Sequence, residues 1–150
     1  MAMMMFVNLP VVDLERSKKF YLDLGFEVNP QFTDQTAACI VLDDGHLYLM
    51  LLTHESYSRF TSKSIVDAST ASEGILAITA DDRAGVDRLA DAALASGGSY
   101  SYQPQDEEFM YSRSFQDPDG HLWEVVYMDM SAMPADVSDS STGEAVSGSR

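Results

Sequence analysis

The chain has 150 residues, a hydrophobic fraction of 45% and a formal net charge of −15. That length fits one ordinary domain or two small half-domains with enough chain to bury a core. The charge argues against nucleic acid and against anionic membrane surfaces as partners, and is compatible with a cationic ligand. No apolar run approaches the roughly 20 residues of a membrane span. The start, MAMMMFVNLP, has neither a basic n-region nor a cleavage-site pattern, so no signal peptide is expected. The single cysteine, Cys39, sits in AACIVL. It fits a small buried residue in a reducing cytosol, and a cytoplasmic location is expected.

In chain order, residues 4–11 read as a strand. Asp13 is a natural N-cap, after which Leu14, Ser17, Phe20, Tyr21 and Leu24 fall on one helical face and Gly25 stops the helix. A strand is expected over 26–32. Two more, over 37–42 and 47–53, are joined by Asp43-Asp44-Gly45, a hairpin signal. Residues 54–72 show weak periodicity and read as a long loop with one helical turn, the kind of loop that often carries function. The order then repeats. A strand over 75–80 is followed by Asp82 as N-cap. Val86, Leu89, Ala90, Ala93 and Leu94 form a helical stripe that Gly97 and Gly98 end. A strand over 99–103 leads into a hairpin over 109–128. Residues 131–150 are Ser-, Ala-, Asp- and Gly-rich without periodicity and read as a disordered tail.

Each half is therefore β-α-β-β-β, with modules at about 4–53 and 74–129 inside one domain, 1–130. A four-strand half cannot bury both faces alone, so the two halves should pair. The second hairpin, FMYSRSFQDPDGHLWEVVYM, stands out. Asp117-Pro118-Asp119-Gly120 suits a type I turn. With Asp117 and Gly120 closing that turn, Phe115 falls opposite Leu122 and Arg113 opposite Glu124, all on one face. An acid in mid-strand on an apolar face needs a partner or a metal. An ion pair with Arg113 is one reading; substrate anchoring by both is the other. His46 and His121, each following a turn glycine, read as solvated turn residues. His54, opening the long loop, is the better candidate for a ligand contact.

The repeat, the DPDGHLWE turn-strand and the opening FVNLPVVDLERSKKFYLDLGFEV together resemble the vicinal oxygen chelate superfamily: glyoxalase I, extradiol dioxygenases, fosfomycin-resistance enzymes and bleomycin-resistance proteins. Bacterial predicted lactoylglutathione lyases are the most similar group. The resemblance implies an α+β fold in which two βαβββ modules form a curled mixed sheet with helices outside. It also implies metal ligands on the first and last strand of each module. Carried over, these positions fall at Phe6, Leu49, Ile75 and Glu124, so Glu124 is the one residue able to hold a divalent ion if a site exists. A one-residue register error would bring Asn8, Glu73 or His54 forward. The expected cup is lined by Phe6, Asn8, Leu49, Ile75, Tyr111, Arg113, Phe115 and Glu124, with His54 nearby. Tyr48, Trp123, Val125 and Tyr127 are assigned to the opposite face, in the core.

The expected function is a metal-independent small-molecule binding protein without a cofactor, acting as a homodimer. The competing reading is a metal-dependent lactoylglutathione lyase or dioxygenase-like enzyme.

Overall fold

A computed structural model describes residues 3–133. The elements in order are β1 (Met5–Val11), α1 (Leu14–Asp23), β2 (Glu27–Asn29), β3 (Ala37–Asp43), β4 (Leu47–Thr53), α2 (His54–Tyr57), β5 (Ile75–Thr79), α3 (Arg83–Ala95), β6 (Ser99–Tyr100), β7 (Gln105–Asp106), β8 (Met110–Gln116) and β9 (Leu122–Met128). The strands form two sheets, ordered β1-β4-β3-β2 and β5-β9-β8-β6, with β7 also paired to β8. In each sheet the first strand runs parallel to the last, and the hairpin strands are antiparallel. This is the expected duplicated α+β architecture.

The helices form where their caps and stripes put them. The Asp13 carboxylate accepts from the Arg16 N–H, and that of Asp82 from the Gly85 N–H, each satisfying an otherwise free amide of the first turn. Leu14, Ser17, Phe20, Tyr21 and Leu24 are all buried. On α3, Val86, Ala90 and Ala93 are buried, but Leu94 is exposed and lies off the stripe. One core spans both modules. Phe20 and Tyr21 of α1 reach across to Phe115 and Trp123, with ring centroids 6.1 Å and 5.8 Å apart.

Two expected strands are cut short, the first by a proline. Pro30 carries no N–H for a ladder, and Pro30–Phe32 is a 3-10 turn capped by Asn29. The strand expected over 99–103 pairs only at Ser99–Tyr100, and pairing resumes at Gln105 after Pro104. Met130–Ala132 forms a 3-10 turn capped by Asp129, so the disorder expected from 131 begins too early. The rest of that expectation, 134–150, lies outside the described residues.

Candidate functional site

The second hairpin turns one residue later than its sequence suggests. The Asp117 N–H donates to the His121 carbonyl and the Gly120 N–H to that of Asp117. The loop is therefore three residues, 118–120, with Gly120 at φ 100° in the left-handed region such a loop requires. The register follows: Ser114 pairs with Glu124, Arg113 with Val125, and Phe115 with Trp123. A one-residue slip moves every side chain to the other face. Phe115, expected in the cup, is buried in the core. Tyr111 packs against that core and donates its hydroxyl to Asp87 at 2.6 Å. Arg113 does not meet Glu124. It pairs with Asp87 and Asp91 of α3 at 3.0 and 2.8 Å.

This pairing on α3 is electrostatically coherent. The Tyr111 hydroxyl and then Arg113 hold the Asp87 carboxyl below its usual range. Burial pulls the Arg113 guanidinium down, but Asp91 and Asp87 outweigh it and leave it above its ordinary value.

The first module needs the complementary correction. Gly45 is the middle residue of its loop, because Asp43 pairs with Leu47, whereas Gly120 is the last of its own. Leu49 follows Gly45 by four residues as Glu124 follows Gly120, but because the glycines stand at different places in their loops the two are not equivalent. Leu49 is fully buried in the core, and Tyr48 lies on the other face, stacked on Phe6 with centroids 4.7 Å apart. Across the parallel pairs, Asn8 faces Met50 as Ala77 faces Glu124. The equivalent of Glu124 is Met50.

The corrected open faces carry Phe6, Asn8 and Met50 in one module and Ile75, Ala77 and Glu124 in the other. Phe6, Met50 and Ile75 offer no oxygen or nitrogen donor, so the set does not fit a hard divalent ion. Among the described residues no group of three or more His, Cys, Asp or Glu converges to hold one. Glu124 is half-buried beside a small recess of about 100 Å³ shared with Ile75, Tyr102, Gln103, Ser112 and Ser114. No side-chain hydrogen bond or ion pair engages its carboxylate among the described residues. His54 opens α2, is exposed and does not line the Glu124 recess.

The turn itself is a clasp between modules. Asp117 is 2% exposed. Its Oδ1 accepts from the Asp119 and His121 amides, and its Oδ2 from the Tyr21 hydroxyl at 2.6 Å. The Trp123 indole N–H donates to that same hydroxyl at 3.0 Å. Asp119 accepts from the Val12 amide and the Ser17 hydroxyl. His121, expected in solvent, is half-buried, and its Nε2 lies 2.8 Å from the Pro10 carbonyl. A carbonyl can only accept, so Nε2 donates. Burial pushes the Asp117 carboxyl above its ordinary value despite its donors, and pushes Tyr21 well up.

Beside the clasp, the 58–74 linker roofs a cavity of about 440 Å³ between β1 and β5. Asn8, Pro10, Leu76, His121 and Leu122 line it from the modules, and Lys63 and Glu73 from the linker. Sequence reasoning missed this site. Its walls come from segments about a hundred residues apart, and the linker has no periodicity to place it.

The sheets, caps and duplicated modules are those of the vicinal oxygen chelate fold. The family model for the bleomycin resistance protein-like N-terminal region matches residues 3–43. A hypothetical protein from S. aureus is 26% identical, with TM-score 0.69, over 84% of this chain and 94% of its own. A glyoxalase/bleomycin resistance protein/dioxygenase family enzyme from Burkholderia phytofirmans is 20% identical, with TM-score 0.65, over 81% and 94%. A fosfomycin resistance protein from Mesorhizobium loti is 17% identical, with TM-score 0.63, over 87% and 96%. No curated protein matches the chain. No helix among the described residues is long and apolar enough to cross a membrane.

Proposed function

We propose that this chain is a metal-independent small-molecule binding protein that works as a homodimer in the cytoplasm and uses Glu124 to hold a cationic ligand. The observation that carries the reading is Glu124 itself: a half-buried carboxylate, without a protein partner among the described residues, on an open face whose corresponding positions are Phe6, Met50 and Ile75. A carboxylate in that setting favours a positive group supplied from outside. Cys39 is a buried free cysteine whose thiol burial pushes up, as suits a packing residue rather than a reactive one.

The dimer reading rests on the same faces. Met3, Met4, Met5, Phe6 and Ile75 are all exposed, Ile75 to 61%. Apolar surface at the rims of two sheets is what a second copy would cover. Light scattering at micromolar concentration should give twice the chain mass. A monomer would contradict that part.

The ligand reading is tested by a thermal-shift screen with small organic cations, aromatic amines and guanidines included. At least one should raise the midpoint of the wild type, because a ligand selective for the folded state stabilises it. Glu124→Gln should lose that shift. If no cation acts, or if Glu124→Gln responds equally, the reading fails.

A further inference from the structure

The cavity between β1 and β5 adjoins the Glu124 recess, with which it shares Leu122, and has its own chemistry. Its volume of about 440 Å³ falls within the range of small-molecule sites. Leu76 and Leu122 give it apolar walls from the second module, and Pro10 gives one from the first. Two full charges line it, Lys63 and Glu73, both from the linker and both exposed. They pair neither with each other nor with any other described residue. Among the described lysines and arginines, Arg16, Lys18, Lys19, Arg59, Arg83 and Arg113 have acidic partners, whereas Lys63 and Arg88 have none. Opposite charges that share one cavity without closing on each other leave room for a molecule bearing both complementary groups.

We infer that this cavity binds a zwitterion of the amino-acid class: a carboxylate held by Lys63, an ammonium held by Glu73, and an apolar side chain against Leu76 and Leu122. A lone anion would meet the repulsion of a chain at −15, which a zwitterion avoids. The His121 ring, fixed by its bond to the Pro10 carbonyl, forms a rigid part of the wall. Gly120 keeps the turn close beneath the linker: a Cβ there would lie 2.6 Å from the Ala68 carbonyl oxygen.

The test is an NMR titration of the full chain with leucine, methionine and phenylalanine. Each is compared with its methyl ester, which lacks the carboxylate charge, and its des-amino acid, which lacks the ammonium. At least one free amino acid should shift the amides of Leu76, Gly120 and His121 saturably, with its ester and its des-amino acid each binding ~10-fold or more weakly, the scale of a lost charge-assisted hydrogen bond. Lys63→Gln should make amino acid and ester bind alike, and Glu73→Gln should do the same for amino acid and des-amino acid. Arg88→Gln, which removes an equal charge on α3, should change neither. Absence of saturable shifts from all three amino acids, equal binding of the three forms, or insensitivity to both linker variants would overturn the inference. None of these outcomes depends on the Glu124 reading, because the reporting amides lie at this cavity.

Discussion

The two hairpin turns of the repeat, DDGH at 43–46 and DPDGH at 117–121, look alike on paper and do different work. In the first, the Asp43 side chain is 63% exposed and, among the described residues, meets His46 alone at 3.2 Å. In the second, Asp117 is buried and gathers two amides and a tyrosine hydroxyl, while Asp119 and His121 bind the β1–α1 junction of the other module. A short motif repeated within one chain thus ends a hairpin in one place and joins two modules in another. What differs is the environment: one turn projects into solvent, the other docks on its neighbour. The contrast predicts that the acid at the start of the turn matters little to stability in the first case and much in the second.

The largest expected effect breaks the clasp outright. Asp117→Ala leaves the Tyr21 hydroxyl and two turn amides without their acceptor in a buried place, and should cost about 3 kcal/mol or more in urea unfolding. Asp43→Ala should stay within about 0.5 kcal/mol, as at ordinary surface positions. Equal costs would dissolve the contrast. Next come the glycines. Both have positive φ, 83° at Gly45 and 100° at Gly120, but only Gly120 presses on other backbone. Gly120→Ala should cost about 2–3 kcal/mol and Gly45→Ala about 1 kcal/mol, measured the same way. Asp119→Ala, which frees the Val12 amide and the Ser17 hydroxyl, should cost about 1–2 kcal/mol.

The smallest effect is one of slope. Burial raises the folded-state value of Asp117 above the ordinary 3.8. The folded protein then keeps that proton longer than the unfolded chain. Its contribution is full below 3.8 and declines as pH rises toward the folded value. Asp87 is lowered, so its contribution is present above 3.8 and is lost as pH falls through its folded value. In unfolding series between pH 3 and 6, the cost of Asp117→Asn should shrink with rising pH and that of Asp87→Asn should grow. Parallel slopes would contradict the assignment.

Much of this fold was legible before the structure. Asp13 and Asp82 announced their helices, and the core face of α1 followed from its spacing. The duplicated βαβββ order was plain from the turn residues. What failed was a count of one. DPDG read as a two-residue hairpin loop is a good type I turn, but the third loop residue, with Gly120 left-handed, moves Arg113, Tyr111 and Phe115 to the helix side. In the first module the same count put Leu49 where Met50 stands. Alternation fixes which residues share a face, not which way that face points; that is set by loop length. Glu124, taken four residues after Gly120, kept its place on the open face because the added loop residue shifts β8 against β9 and leaves the alternation within β9 unchanged. The Lys63–Glu73 cavity and the His121–Pro10 bond depend on tertiary contact and left no local pattern to read.

The claim on which the functional account turns is that the open face works without a metal. The donor set of Phe6, Met50, Ile75 and Glu124 supplies one carboxylate, short of the three protein ligands typical of a catalytic zinc site. The direct measurement is the metal content of purified protein after dialysis, by elemental analysis. Zinc, nickel, iron and manganese should each be well below one per chain. One tightly bound divalent ion per chain, lost in Glu124→Gln, would contradict the account and restore a lyase- or dioxygenase-like enzyme.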